Sequence, residues 1–256
     1  MNKIWNPRIW AFGCSQTFGH GLEDCFRFEN DFYYAGEEPS KFAYPQLIGD
    51  ALGKEVINKS RPGASNKHIL QLIKLNQSEI NKDDIVIIHW TYIERHAVFV
   101  NDERDNLNIN TNKIVETGFD KKADAKDKRD TFGFNIKSTD NLKVSKLYYK
   151  YIHRDNDAAI VARWYMNYAH LTLKAQGVKS IHCPALMNAH NNKSLINMES
   201  WSDHDFVKDP NFESDISFVS KMLQHDDIQV DRAVDGEHAG PKTHRAFADL
   251  ILKEYF

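Results

Sequence analysis

Short apolar runs alternate with longer amphipathic segments along most of the chain. The runs at 8–12, 55–58, 84–89 and 178–183 carry β-branched or aromatic residues, which is typical of buried strands. The run at 84–89 contains four consecutive aliphatic residues. It therefore predicts a central parallel strand that is buried on both faces.

Helical patterns fill the intervals between these runs. Apolar residues recur at helical spacing over 66–80, 148–176 and 241–255, and the segment 44–53 has proline near its start and glycine at its end. Gly177 follows the helix predicted over 148–176, in the position where a helix commonly terminates. Because strands and helices alternate, we predict an α/β protein, a three-layer α/β/α sandwich around a parallel, doubly wound, flavodoxin-like sheet.

The segment 101–146 interrupts this alternation. It is polar, rich in asparagine over 106–112, and crowded with alternating charges over 121–130. Its length and composition predict an insertion or a lid over a site, and the alternative is a solvated excursion with no role. Nothing else in the sequence divides it, so we predict one domain over 1–256.

Bulk composition excludes several classes of function. The 256 residues carry a net charge of −3 with a pI near 6.5, so no basic excess favours a nucleic acid or an anionic membrane as partner. Three cysteines without a C-x-x-C pair argue against a disulfide framework or a structural zinc site. No apolar run is long enough for a membrane helix, and no signal-peptide core is present. We expect a cytoplasmic protein, or one released without a signal peptide, for example with a particle.

A serine, an aspartate and a histidine occupy positions where such a fold forms its sites. Ser15 follows the first predicted strand, whereas Asp235 and His238 precede the last predicted helix. Sites in open parallel sheets form at the carboxyl ends of the strands, so these distant residues can meet at one edge. A serine becomes a nucleophile when a histidine takes its proton and an aspartate orients that histidine. Taken alone, Asp235-x-x-His238 has the alternative of a helix N-cap or a surface turn.

Other polar candidates have simpler explanations. His182, His190 and His204 lack the compact spacing of metal ligands, so we predict no metal. Cys14 beside Ser15 is interpreted as a small buried residue, with a reactive thiol as the alternative.

Several aromatic residues are candidates to line a cleft. Trp90, Tyr92 and Trp164 could form a stacking wall for a sugar, although aromatic residues in a large core are the more common case. His20 and His89 are further candidates, with core or solvated histidines as the default interpretation.

The serine run resembles the first motif of the SGNH (GDSL-type) hydrolase family. That family has Gly-Asp-Ser followed by Thr and Gly, and residues 13–19 read Gly-Cys-Ser-Gln-Thr-Phe-Gly, with cysteine in place of the usual aspartate. Residues 58–66 resemble the second block of the family and point to Gly63. The pair Asp235 and His238 matches the last block.

The resemblance implies a role for each matched residue. Ser15 is the expected nucleophile, His238 the general base and Asp235 its partner. The backbone N–H groups of Ser15 and Gly63 are expected to contribute to the oxyanion hole.

The third block of the family is not matched. It places Gly-x-Asn-Asp after the third strand, whereas here residues 89–95 read His-Trp-Thr-Tyr-Ile-Glu-Arg. Thr91 or Arg95 is expected to donate in place of the missing asparagine. Asn66, at the end of the second block, is counted among the expected binding residues.

The same resemblance implies the activity. We expect a carboxylic ester hydrolase that acts on small acyl esters, with O-acyl groups on a carbohydrate favoured and no cofactor required. Its partner would be a small-molecule or carbohydrate ester, and the oligomeric state is not predicted. The alternatives are a non-catalytic binding or structural module on the same fold, and acyl transfer to a sugar or peptide instead of water.

Overall fold

The structure is a computed structural model that describes residues 6–29, 32–35, 38–93, 95–99, 133–136, 143–183, 216–221, 223 and 227–256. The strands in these ranges are β1 (Ile9–Phe12), β2 (Phe26–Glu29), β3 (Phe32–Ala35), β4 (Val56–Asn58), β5 (Ile85–His89), β6 (His96–Phe99), β7 (Gly133–Ile136) and β8 (Lys179–Cys183). The helices are α1 (Ser15–Phe18), α2 (Tyr44–Leu52), α3 (Asn66–Asn76), α4 (Lys143–Tyr151), α5 (Asp155–Ala175) and α6 (Pro241–Tyr255). A 3₁₀ turn at Gln77–Glu79 follows α3. None of these helices is long and apolar enough to span a membrane.

Four parallel strands form the main sheet in the order β4-β1-β5-β8. Trp10 of β1 pairs with Ile57 on one side and with Val86 on the other, and Ile87 of β5 pairs with Ile181. All five residues of β5 are buried, which confirms the predicted central strand. The parallel, doubly wound sheet is therefore confirmed as well.

Alternate residues of the sheet face two separate apolar cores, as the period of a strand requires. On one face, Trp10, Phe12, Val86 and Ile88 pack against α3 and α5. On the other face, Ile9, Ile85, Ile87 and Ile181 pack against α2 and α6. Helices therefore cover both faces, and the predicted three-layer sandwich is confirmed.

The observed helices differ from the predicted ones at their ends. The helix predicted over 66–80 ends at Asn76 and continues as the 3₁₀ turn. The single helix predicted over 148–176 is wrong, because α4 ends at Tyr151 and α5 begins at Asp155. Arg154 between them has an extended backbone (φ −138°, ψ 129°), which breaks the helical path. Acidic residues in the first turn of α5 then favour a new helix start, since they complement its dipole.

Two antiparallel strand pairs have no counterpart in the predictions. β2 pairs with β3, and β6 pairs with β7. The predicted insertion at 101–146 therefore contains β7 and the start of α4. Its remainder, 101–132 and 137–142, lies outside the described residues, as do His190 and His204. The lid and the single domain stay predictions.

Three histidines are enclosed in the protein interior. His182 accepts a hydrogen bond at Nδ1 from the indole N–H of Trp90 at 3.0 Å, and its Nε2 lies 3.2 Å from Ser180 Oγ. His89 and His244 are buried as well. Burial is the largest cause that lowers the pKa of His89 to about 4 and those of His182 and His244 to about 3. All three imidazoles are therefore neutral at pH 7.

Acid is expected to destabilise the fold through these histidines. In the unfolded chain a histidine takes up a proton near pH 6.5, whereas the buried imidazoles stay neutral down to about pH 4 or 3. The unfolded state binds more protons in this window, so the free energy of unfolding falls as pH drops below about 6.5. The maximal slope is about 1.4 kcal/mol per pH unit for each histidine. Urea denaturation at pH 7, 6 and 5 measures it.

His182→Gln tests the contribution of one histidine. Glutamine keeps an acceptor for the Trp90 indole but does not titrate, so the variant should lose less stability between pH 7 and 5 than the wild type. Equal pH slopes in the two proteins would contradict a neutral, enclosed His182.

Candidate active site

β1 leads directly into the candidate nucleophile. Gly13 and Cys14 follow the strand, and Ser15 opens the one-turn helix α1. A Cβ at Gly13 would lie 2.1 Å from Thr17 Oγ1 and 3.2 Å from the Cβ of His89, so glycine is required where this turn approaches the end of β5. Cys14 is 3% exposed, which confirms its interpretation as a small buried residue. Ser15 itself is 7% exposed.

A buried polar chain lies beneath the Ser15 turn. Thr17 Oγ1 lies 3.2 Å from the hydroxyl of Tyr44, which lies 3.5 Å from His89 Nδ1. The backbone N–H of Tyr44 donates to Nδ1 of His244 at 3.2 Å. Burial raises the pKa of Tyr44 well above its usual value, so the chain consists of uncharged groups at neutral pH.

Asp235 and His238 meet in a short loop before α6. Oδ2 of Asp235 lies 2.6 Å from Nδ1 of His238. Because a carboxylate accepts, Nδ1 carries the proton, and Nε2 is left as the acceptor that a general base requires. Oδ1 of Asp235 accepts the backbone N–H groups of Glu237 and His238, each at 3.0 Å. The N-cap of α6 is Gly240, so the alternative of Asp235 as a cap for that helix is wrong.

The surroundings of Asp235 favour its ionised form. Burial alone would raise its pKa, but the backbone N–H groups of His238 and Glu237 and the His238 imidazole outweigh burial and hold the pKa below its usual value. An ionised carboxylate at Nδ1 stabilises the imidazolium that forms when Nε2 takes up a proton.

The segment that follows Ser15 packs against this pair. The backbone N–H of Val234 donates to the carbonyl of Gly21 at 3.0 Å. Gly21 has φ +89°, and a Cβ there would lie 2.4 Å from Oδ2 of Asp235. The ring of His20 lies edge-to-face on that of His238, with centroids 4.9 Å apart. Since the His20 N–H also bonds to the Ser15 carbonyl at 3.0 Å, one short segment carries Ser15 and contacts the Asp–His loop.

The structure brings together part of the predicted triad. Asp235 and His238 are hydrogen bonded, whereas among the described residues no hydrogen bond joins the Ser15 hydroxyl to His238. Catalytic hydrogen bonds are often long before substrate binds. The Ser15–His238 step therefore stays a prediction.

The loop after β4 lies beside the Ser15 turn. The backbone N–H of Arg61 donates to the carbonyl of Gly13 at 3.0 Å, and Nδ2 of Asn58 donates to the carbonyl of Thr17 at 2.9 Å. Gly63 follows in the same loop with φ +78°, a conformation that favours glycine. The predicted second block thus adjoins the first.

Asn66, Thr91 and Arg95 form one hydrogen-bonded network. Nδ2 of Asn66 donates to the carbonyl of Thr91 at 3.1 Å, and its Oδ1 accepts the Thr91 N–H at 2.8 Å. Nη1 of Arg95 donates to Thr91 Oγ1 at 3.0 Å, while the guanidinium lies 4.8 Å from the ring centroid of Tyr92. Asn66 therefore fixes the loop after β5, and Arg95 places a positive charge against the Thr91 hydroxyl.

The core interpretation is confirmed for Trp90, one of the three candidates for an aromatic wall. Trp90 is 1% exposed and bonds to His182, so it belongs to the core and cannot stack on a sugar. Trp164 is 58% exposed on α5. Tyr92 lies against the Arg95 guanidinium.

Ligand atoms of His20, Asp235 and His238 lie within 4.8 Å of one another and could hold a metal ion. Two of these residues are joined by the 2.6 Å hydrogen bond described above, which is shorter than the separation of about 3.3 Å between ligands around zinc. The arrangement therefore fits an Asp–His pair better than a metal centre. The predicted absence of a metal stays a prediction.

Two contacts in this site were not predicted, although His20 itself was a candidate. Gly21 contacts the carboxylate of Asp235, and His20, a candidate cleft residue, contacts the imidazole of His238. The sequence signal for both was their place in the same short run as Ser15, but no local pattern identifies their distant partners.

No protein-family profile and no curated protein match the sequence, but solved structures match the fold. One is a carbohydrate esterase family 2 enzyme with a carbohydrate-binding domain from Corynascus thermopiles (Myceliophthora fergusii), with a TM-score of 0.51, 13% identity, and coverage of 99% of this chain and 66% of that chain. Another is an acetyl xylan esterase from the rumen bacterium Butyrivibrio proteoclasticus, with a TM-score of 0.50, 12% identity, and coverage of 98% and 64%. This chain thus spans about two thirds of the length of each. The predicted three-layer α/β/α fold is thus shared with these two solved structures.

Gly21→Ala is expected to disturb the Asp235–His238 pair. The added methyl group would collide with the Asp235 carboxylate. Alanine at positive φ also lowers the free energy of unfolding by about 1–2 kcal/mol. Proton NMR should show loss or a marked shift of the downfield resonance of the hydrogen-bonded imidazole N–H, and urea denaturation should show reduced stability.

Gly53→Ala is the matched control. Gly53 also has positive φ, +62°, but a Cβ there meets nothing within 4 Å. It should lose stability through backbone strain alone and keep the downfield resonance. If Gly21→Ala matches Gly53→Ala in both measurements, the close approach of Gly21 does not position Asp235.

Proposed function

We propose that this protein is a serine esterase that hydrolyses small acyl esters, with O-acyl groups on a carbohydrate as its substrates. The observation that carries the proposal is the 2.6 Å hydrogen bond between Asp235 and His238, in a loop that packs on the segment beginning with Ser15. A carboxylate in this position holds an imidazole in the tautomer whose Nε2 acts as a base.

Acylation begins when Nε2 of His238 takes the proton of Ser15 Oγ and that oxygen attacks the acyl carbon. The tetrahedral intermediate collapses, the ester C–O bond breaks, and the imidazolium gives its proton to the leaving alcohol. In deacylation, the same nitrogen takes a proton from water, which attacks the acyl-serine. The acid leaves as Ser15 regains its proton. Asp235 stays ionised throughout, which its lowered pKa favours.

The oxyanion is assigned to backbone N–H groups and to Thr91. Ser15 and Gly63 supply the backbone donors. Because Thr91 Oγ1 accepts from Arg95 at 3.0 Å, its own proton is left to donate, and the guanidinium polarises the hydroxyl. Thr91 would then take the place of the asparagine that the family carries in its third block.

Two observations support a short acyl group on a carbohydrate. Ser15 is largely enclosed, which favours a small group such as acetyl at the reacting carbon. The two solved structures with TM-scores of 0.51 and 0.50 are named as carbohydrate esterases, one of them an acetyl xylan esterase.

Ser15→Ala tests the nucleophile. Hydrolysis of 4-nitrophenyl acetate should fall by about a thousandfold or more, because no residue remains to form the acyl intermediate. Ser78→Ala, at an exposed position in the 3₁₀ turn, should retain wild-type activity. A fluorophosphonate probe should label the wild type and Ser78→Ala but not Ser15→Ala. Absence of labelling and turnover in folded wild-type protein would overturn the proposal and favour the non-catalytic module.

Thr91→Val tests the side-chain donor to the oxyanion. Valine keeps the shape of threonine and the backbone bonds to Asn66, but removes the hydroxyl. We expect kcat to fall by about 100- to 1,000-fold with a small change in KM, as for loss of one oxyanion donor. Wild-type kcat in this variant would exclude Thr91 from the oxyanion hole.

A further inference from the structure

A cavity lies beside the hydrogen-bonded network of Asn66, Thr91 and Arg95. It encloses about 230 Å³ between the start of α3, the segment entering β6, and helices α4 and α5. Asn66 and Arg95 line it, and the same two residues hold Thr91 through the hydrogen bonds given above. The cavity therefore adjoins the loops assigned to the oxyanion. Ser15 and His238 do not line it.

The described residues that line the cavity give it a positive charge. Lys67, Arg95 and Arg154 contribute cations from three separate segments, and Asp157 is the single carboxylate among these lining residues. Lys67 is half-buried, and its Nζ donates to the carbonyl of Ala97 at 3.2 Å, which fixes the ammonium at the cavity. Burial lowers the pKa of Lys67, as expected for a cation removed from water.

The positive charge of Lys67 contributes to a lowered pKa of a neighbouring histidine, His96. His96 lines the cavity, and burial followed by the charge of Lys67 and then of His153 lowers its pKa. The neutral form of the His96 imidazole is therefore favoured by burial first and by its positive neighbours second. A group that enters beside it experiences an attractive potential if it is anionic.

The remaining walls are aromatic and apolar. The ring of Tyr148 stacks on His96 with centroids 4.7 Å apart, and Tyr165, Val161 and Ala162 extend this surface. The volume is below the range of about 300–1,000 Å³ of drug-sized pockets, so it suits one sugar residue or a group of similar size. Flat rings with nearby cations provide both stacking and charge recognition.

We propose that this cavity is an anion subsite, which binds a carboxylate or sulfate group on the sugar that carries the ester. The position of the acyl ester at Ser15 rests on the proposed function, whereas binding of the anionic sugar does not. The cations of Lys67, Arg95 and Arg154 outnumber the carboxylate of Asp157 among the described lining residues, so the cavity attracts an anion with hydrogen-bond acceptors. A neutral sugar of the same shape gains no such attraction, so the subsite discriminates between them.

Three substrates that differ in one group test the proposal. They are methyl glucoside, methyl glucuronoside and methyl glucoside 6-sulfate, each acetylated at the same hydroxyl. We expect kcat/KM for at least one anionic ester to exceed that for the neutral ester by about tenfold, the discrimination of roughly one charge-assisted hydrogen bond. Preference for the carboxylate or for the sulfate identifies which anion the subsite takes. Equal kcat/KM values for all three would overturn it.

Substitutions of the lining cations test whether they cause the preference for an anionic ester. Lys67→Met and Arg154→Gln keep most of the side-chain bulk, and each should move the anionic-to-neutral ratio of kcat/KM at least severalfold toward one. Lys253→Met removes an exposed cation that does not line the cavity, and it should retain the wild-type ratio. A preference that survives both cavity variants would place anion recognition elsewhere.

Binding without turnover separates this inference from the proposed function. Calorimetry on Ser15→Ala, with the three methyl glycosides lacking the acetyl group, should show tighter binding of an anionic sugar, weakened by Lys67→Met in the same background. If this binding is found while the wild type hydrolyses no ester, the proposed function fails and the subsite stands. If esters are hydrolysed but the Ser15→Ala protein binds all three sugars equally, the subsite is wrong and the esterase stands.

Discussion

Parallel pairing of β1 with both β4 and β5 is the constraint on which the candidate site depends. It directs the carboxyl ends of three strands to one edge of the sheet, so that the loops after them become neighbours. The bond from Arg61 to the carbonyl of Gly13 extends the pairing past the end of β1 and holds the second loop against the first. The Asn66–Thr91 bonds then join the second loop to the third. An antiparallel neighbour would send one of these loops to the opposite edge.

The candidate site combines one ionised carboxylate with buried histidines that are neutral. Asp235 is kept ionised by backbone donors and the imidazole, and it faces the one histidine that the proposed chemistry needs in two protonation states. The buried His89 and His244 are instead kept neutral by the loss of solvent. Three histidines within one region thus have different roles because their partners and exposure differ. Residue type alone does not distinguish them.

The sequence contained enough information for the sheet and for the Asp–His pair. β5 was predictable because a strand buried on both faces has an unbroken aliphatic run, and Asp235 with His238 because their short spacing allows a local hydrogen bond. The break between α4 and α5 coincides with the polar run His-Arg-Asp-Asn-Asp at 153–157, which interrupts the apolar pattern where the backbone of Arg154 leaves the helical region. The sequence Phe-Arg-Phe-Glu of β2 does alternate as a strand would, whereas Phe-Tyr-Tyr-Ala in β3 and His-Ala-Val-Phe in β6 carry no such alternation.

Contacts between residues that are distant in the sequence account for the other features that the sequence did not predict. Gly21 and Asp235 are more than two hundred positions apart in the chain, and nothing in either local sequence indicates that one carboxylate will rest on one glycine. The same holds for the cavity beside Thr91, whose cations come from three segments that meet only when α3 and α5 cover the same face of the sheet. The sequence left Trp90 as either a core or a cleft aromatic, and its indole N–H finds a partner in His182 only in the folded core.

Tyr44 connects helices α1 and α6 with the end of β5. It stands at the start of α2, stacks on His244 of α6, and reaches Thr17 of α1 and His89 of β5 with its hydroxyl. One side chain therefore links helices α2 and α6 to the turn that carries Ser15. A substitution that loosens the packing of α2 on α6 therefore reaches the turn that carries Ser15 as well.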